Sequence, residues 1–176
     1  MTVTPALPDC PALADGPALA DGPALADSDV DELVAAARGA MTHAHAPYSR
    51  FAVGAAVRLT DGTVVTGSNF ENASYGLSLC AETVALASVN ALGRLRDVAA
   101  IALCGGAMDA PDGTGIVTPC GRCRQVMNEA EQMAGRTLAI YCAAPVGAAI
   151  EHHRVADLLP HAFGPANLGI APVKDD

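Results

Sequence analysis

The sequence predicts an α/β domain in which one mixed β-sheet carries helices on its faces. Two observations lead there. Apolar residues recur at helical spacing in some segments and alternate in others, and the segments follow in the order α-β-β-α-β-α-β-α. About half of the chain (51%) is apolar and only 16% is charged, so a core can form and overall disorder is excluded. The 176 residues suffice for one ordinary domain and are too few for two. Trp is absent and aromatics make up 3%, which leaves the core to Ala, Val, Leu and Ile.

Residues 11–27 repeat Pro-Ala-Leu-Ala-Asp-Gly with a period of six, and a proline in each unit stops any helix there. Residues 1–27 therefore read as a disordered low-complexity tail and 28–176 as the catalytic domain, with disorder expected again in the last residues. Ser28 and Asp31 resemble a capping box, and Val30, Leu33, Val34, Ala37 and Met41 then follow helical spacing. Pro47-Tyr48-Ser49 ends that helix. Phe51 to Leu59 reads as a strand, Asp61-Gly62 as a hairpin turn, and Thr63 to Gly67 as the returning strand. A polar loop, Asn69 to Ser78, leads into a helix from Cys80 to Leu92 closed by Gly93. Val98 to Cys104 is a buried strand, and a Gly/Pro/Asp loop runs to Thr118. Pro119 precedes a helix from Cys120 to Met133, closed by Gly135. Thr137 to Cys142 is the last expected strand, and Val155 to Leu159 a short helix ended by Pro160.

Ten Lys and Arg against nineteen Asp and Glu give a net charge of −9. Four of those acids (Asp9, Asp15, Asp21, Asp27) lie in the tail, so the domain still holds fifteen acids against all ten cations. Such a surface repels phosphate backbones and anionic lipid, and neither nucleic acid nor membrane is expected as a partner. The start lacks the basic patch and apolar run of a secretory leader. Six cysteines without a leader fit a reducing cytoplasm, where metal binding or catalysis outranks disulfides.

Cys80-Ala81-Glu82 opens one helix and Pro119-Cys120-Gly121-Arg122-Cys123 opens the other. Helix starts carry partial positive charge and unpaired N–H donors, which stabilise thiolates. Cys80, Cys120 and Cys123 make a three-sulfur set, and three protein ligands leave one position on a zinc ion for water. Cys10 lies in the tail, and Cys104 and Cys142 sit in apolar strand patterns as core residues. Glu82, two positions after Cys80, stands beside the metal and is the candidate proton shuttle. The combination Cys-x-Glu with Pro-Cys-x-x-Cys is the zinc-deaminase signature. His43 and His45 read as helix-end cations or loop residues, and His152 and His153 as surface positions.

At these residues the chain resembles the cytidine deaminases of the small homotetrameric type. The likeness runs from about Tyr48 to Leu168. It covers Pro47-Tyr48-Ser49-Arg50-Phe51-Ala52-Val53-Gly54-Ala55-Ala56, Asn69-Phe70-Glu71-Asn72-Ala73-Ser74-Tyr75-Gly76-Leu77, both cysteine blocks, Leu158-Leu159-Pro160 and Phe163-Gly164-Pro165. It implies a three-layer α/β/α sandwich with a mixed central sheet. It implies one Zn²⁺ per subunit on Cys80, Cys120 and Cys123, and Glu82 as the catalytic residue. Asn69 and Glu71 match the pair that binds the ribose, Phe51 the aromatic at the pyrimidine, and Ala81 and Thr118 backbone contacts to the base. Ala73, Tyr75 and Phe163 match residues lent across subunit interfaces, so a homotetramer is implied.

The implied reaction is hydrolysis of cytidine and 2′-deoxycytidine to uridine and 2′-deoxyuridine plus ammonia, in pyrimidine salvage. One departure stands out: many family members carry Arg after the catalytic Glu, and here Thr83 follows Glu82. Arg122 and Arg124 are the candidates for balancing the thiolate charge. A blasticidin-type deaminase shares similar cysteine motifs and also lacks that Arg, while Asn69, Glu71 and the Phe-Gly-Pro segment favour an ordinary nucleoside. A catalytically silent zinc module is the non-enzymatic alternative.

Overall fold

The computed structural model describes residues 19–110 and 112–170. Its centre is a five-stranded sheet in the order β2-β1-β3-β4-β5. The strands are β1 (Phe51–Leu59), β2 (Val64–Ser68), β3 (Val98–Ala107), β4 (Ala139–Ala143) and β5 (Ile150–Arg154). Among the described strands β3 and β4 pair in parallel and the other three pairs are antiparallel, so the sheet is mixed. The β1–β2 hairpin closes where the Leu59 N–H meets Thr63 O at 2.8 Å. Gly62 supplies the left-handed φ of 88° that this turn requires.

Alternation along the strands sorts the two faces. Ala56, Ala100, Ala102, Cys104 and Ala143 face α1 (Asp27–Met41), where Leu33, Val34 and Ala37 cover them. Ala55, Val57, Leu59, Ile101, Leu103, Ile140 and Cys142 face α2 (Ala81–Ala91) and α3 (Gly121–Ala134). This is the expected three-layer α/β/α arrangement. Small residues bring the layers close. A Cβ on Gly54 would strike the α1 backbone at Ala37 and Met41, and one on Gly67 would meet Ala81 O at 2.6 Å. That second contact seats the start of α2, with Cys80 ahead of it, against β2.

Several boundaries differ from expectation. The Ser28–Asp31 capping box does not form: α1 starts at Asp27 after an Ala26 cap, and the Ala26 carbonyl accepts the Asp29 N–H at 2.9 Å. Asp27 and Asp29 in its first turn complement the helix dipole instead. The strand expected from Thr137 begins at Ala139, because Thr137 pairs with the incoming chain. Strand β5 escaped the hydrophobic pattern. It is an edge strand with one apolar residue, Ile150, and polar exposed edges are how sheets avoid mispairing.

Residues 19–26, within the stretch read as tail, run beside the end of α3. Ala20 forms a parallel bridge with Arg136, the Thr137 N–H donates to Ala20 O at 2.8 Å, and the Gly22 N–H donates to Thr137 Oγ1 at 2.8 Å. Gly135, with φ 66°, ends α3 and turns the chain toward this contact. The rest of the expected tail, 1–18, and the chain end, 171–176, lie outside the described residues.

Candidate functional site

Two helix starts meet at the C-terminal end of β3. Cys80 is the N-cap of α2 and Cys120 the N-cap of α3, the half-in positions where a side chain ordinarily turns back to the first-turn N–H groups. No side-chain cap is made at either. Cys123 follows three residues after Cys120, the spacing that sets two side chains of a first turn on one side. The Cys80 and Cys120 sulfurs lie 3.9 Å apart and those of Cys120 and Cys123 3.5 Å, and all three fall within 4.8 Å of one another. A tetrahedron with Zn–S bonds of about 2.3 Å has edges of about 3.8 Å. The sulfur set therefore fits a single zinc ion.

Beside the sulfurs opens a pocket of about 370 Å³, a size suited to a small organic ligand. Phe51 and Val53 from β1, Leu103 from β3 and Val117 give it apolar walls. Asn69 and Glu71 stand on the loop after β2, and Ser49, Ser78, Leu79, Ala81, Glu82, Thr118, Cys80 and Cys120 complete the lining. Cys123 is fully buried behind them.

The polar groups here are already oriented. Asn69 clamps the start of β1, its amide oxygen accepting the Val53 N–H at 2.8 Å and its amide nitrogen donating to Phe51 O at 2.9 Å. The Glu71 carboxylate accepts the N–H groups of Tyr48 at 2.9 Å and Ser49 at 3.2 Å. The Ser49 hydroxyl, with those N–H groups and the nearby His45, holds the Glu71 carboxyl below the usual carboxylate range. Glu82 is 4% exposed, and desolvation raises its proton affinity. As thiols the cysteines do not share protons evenly. Hydrogen bonding from Cys123 holds Cys80 well below the ordinary thiol range, with Cys120 and Arg122 adding to it. Cys123 is pushed up, first by its bond to Cys80 and then by burial.

The expected site residues separate into three groups. Cys80, Cys120, Glu82, Phe51, Asn69, Glu71, Ala81 and Thr118 line one pocket, with Cys123 behind it. Ala73, Tyr75 and Phe163 do not line it. Tyr75 is 75% exposed and packs its ring edge on Tyr48, and Phe163 is 53% exposed. The arginines sit outside the pocket as well. Arg124 donates to Pro119 O at 2.7 Å and Leu158 O at 2.8 Å, while Arg122 reaches Ser78 O at 3.4 Å.

Three contributors were not singled out from sequence. Ser49 holds Glu71, and Val53 shares the pocket face of β1 with Phe51, as its position two residues on could have signalled. His45, read as a loop residue, brackets Asn69 and Glu71 through its backbone: its N–H donates to Asn69 O at 3.0 Å and its carbonyl accepts the Glu71 N–H at 2.8 Å. Thr83 lies 3.8 Å from the Cys123 sulfur.

Residues 27–140 match the family model of the cytidine and deoxycytidylate deaminase zinc-binding region. A cytidine deaminase of Mycobacterium tuberculosis is 44% identical over 122 residues, spanning 69% of this chain and 79% of the relative. One from Halalkalibacterium halodurans is 44% identical over 135 residues, 77% and 94% of the two chains. Among solved structures, cytidine deaminase from Burkholderia pseudomallei superposes with a TM-score of 0.66 at 43% identity, over 76% of this chain and 98% of that one.

Proposed function

From the premise that this chain belongs to the cytidine and deoxycytidylate deaminase family, we propose how its own residues carry out zinc-dependent hydrolysis of cytidine and 2′-deoxycytidine to the uridines and ammonia. The observation that carries the reading is the three-sulfur cluster opening onto a pocket lined by one buried carboxyl, Glu82.

Cys80, Cys120 and Cys123 would hold the zinc ion, whose Lewis acidity would make a water nucleophilic near neutral pH. Glu82 moves the protons. Its raised affinity suits a group that takes one proton from the attacking water and passes it to N3 of the base, then takes the remaining proton of the hydroxyl on C4 and delivers it to the amine, which leaves as the C4 carbonyl forms. The uncapped start of α2 presents the Ala81 N–H to the base carbonyl, and the Thr118 backbone meets the amino group. Phe51 and Val53 pack the pyrimidine and keep bulk water from the reacting carbon. Glu71, ionised and fixed, accepts from a sugar hydroxyl, and the second amide hydrogen of Asn69 donates to the same sugar.

The domain is assigned to residues 28–176 as read from the sequence, with its first helix reaching back one residue to Asp27, and the repeat lies outside the chemistry. A homotetramer completes the pocket: the exposure of Phe70, Tyr75, Leu77, Phe163 and Leu168 supports a partner that covers them, and Ala73, Tyr75 and Phe163 serve the neighbouring site. The role is nucleoside salvage in the cytoplasm. Among the described residues no helix is long and apolar enough to cross a membrane.

The test is purified protein incubated with cytidine, 2′-deoxycytidine, cytosine and blasticidin, followed by ultraviolet absorbance and ammonia release, with zinc content and sedimentation measured on the same sample. Both nucleosides should turn over on a zinc-loaded oligomer. Turnover of blasticidin alone would replace the nucleoside reading, and bound zinc with no ammonia from any substrate would leave only a metal module.

A further inference from the structure

The two helix starts at the metal cluster are built alike. Counting from the cysteine caps, the third helical residue is Thr83 in α2 and Cys123 in α3, and these two touch, with Thr83 Oγ1 3.8 Å from Cys123 Sγ. Thr83 is half-buried, sits in the crevice between α2 and α3 beside Leu86 and Val126, and does not line the nucleoside pocket.

We propose that Thr83 is a positioning residue for the metal, its hydroxyl donating a hydrogen bond to the Cys123 thiolate and offsetting part of the charge of three sulfurs on one zinc ion. The proposal rests on the zinc reading above. A thiolate has no proton to give, so once Cys123 binds metal the hydroxyl is the only donor in this pair. Three thiolates on Zn²⁺ leave a net charge of −1, which weakens the ion as an acid unless nearby dipoles and donors compensate. The two arginines expected for that task are committed elsewhere. Arg124 binds the carbonyls of Pro119 and Leu158, and Arg122 reaches the Ser78 carbonyl. Their charges help from a distance; the Thr83 contact acts on the sulfur itself.

The test compares the full chain with Thr83→Val, which keeps the shape and removes the hydroxyl, and Thr83→Ser, which restores it. Each is stripped of metal and reloaded with zinc in competition with a coloured chelator, then with cobalt to read the sulfur-to-metal charge-transfer band. Removing the donor raises the energy of the sulfur lone pairs, so the band of Thr83→Val should move to longer wavelength. Its zinc dissociation constant should rise about tenfold. Thr83→Ser should return both to wild-type values, which a packing role alone would not do. If Thr83→Val does not melt cooperatively, Thr83→Ala is read by the same criteria. A wild-type chain that takes up neither metal overturns the zinc reading and this proposal together. A wild-type chain that loads normally, with hydroxyl-free variants indistinguishable from it in band and affinity, overturns the proposal alone.

Discussion

The Val53 N–H and the Asn69 side-chain oxygen are joined by a 2.8 Å hydrogen bond, and the same amide donates to Phe51 O, so one side chain ties the loop after β2 to the mouth of β1. Asn69 and the pocket-wall residues Phe51 and Val53 are thereby held together. Asn69→Leu should cost about 1–2 kcal/mol of stability and lower kcat/KM about 100-fold, since a small displacement of positioned groups is expensive in rate. Denaturant melts and steady-state kinetics on cytidine check both. Near-normal kinetics would show that the clamp does not set the pocket.

Glu82→Gln keeps the shape of the buried carboxyl and removes its ability to carry a proton. Zinc content should be unchanged and turnover lower by about 1,000-fold. Metal analysis beside the rate separates this outcome from loss of the metal, and an active Gln variant would take the proton role away from Glu82.

Chelation should abolish activity, and stoichiometric zinc should restore it. In the chelated protein Cys80, whose thiol is lowered, and the exposed Cys120 should label with a thiol reagent before the buried Cys123. Zinc should protect all three. Peptide mapping after timed labelling reads the order, and labelling of Cys123 first would contradict the burial described here.

The Phe163 carbonyl is held by the amides of Gln125 at 2.7 Å and Asn128 at 3.2 Å, and Gly164 lies so close to Gln132 and Asn128 that a side chain there has no room. Gly164→Val should cost about 1–3 kcal/mol and displace Phe163. If Phe163 serves a neighbouring subunit, Gly164→Val and Glu82→Gln chains should each be nearly inactive alone and recover activity when assembled together. No recovery in mixed assemblies would tell against the shared pocket.

Asp61 in the β1–β2 turn accepts the Thr63 N–H at 2.9 Å and pairs with Arg94 at 2.9 Å. These contacts lower its pKa from 3.8 to about 2, the Thr63 backbone bond contributing most. A depressed carboxyl favours the folded state above its unfolded pKa and loses that contribution as pH falls through its folded value. Between pH 3.8 and about 2 the wild type should therefore lose more stability than Asp61→Asn. Paired acid-unfolding curves measure the difference, and parallel curves would remove Asp61 from the acid response.

Much of this architecture was legible in the sequence because its signals are local. The helix starts at Cys80 and Cys120, the Asp61-Gly62 turn and the stop at Gly135 each depend on a few neighbouring residues. The three sulfurs were readable because helix starts leave few ways to arrange Cys-x-x-Cys. Strand β5 was not, since an edge strand with charged faces carries no apolar alternation. Nor was the backbone role of His45, which no side-chain chemistry announces. The Thr83 contact joins residues forty positions apart, and only the approach of α2 to α3 reveals it.

The segment resting on Arg136 and Thr137 has a genetic consequence. Leu19-Ala20-Asp21-Gly22 is followed by Pro23, and Leu13-Ala14-Asp15-Gly16 repeats the same four residues one unit upstream. Loss of one unit by replication slippage would bring the upstream copy into the same register before Pro23, with identical atoms to offer the same partners. Loss or gain of one six-residue unit would therefore leave Leu-Ala-Asp-Gly ahead of Pro23, and the residues that rest on Arg136 and Thr137 the same.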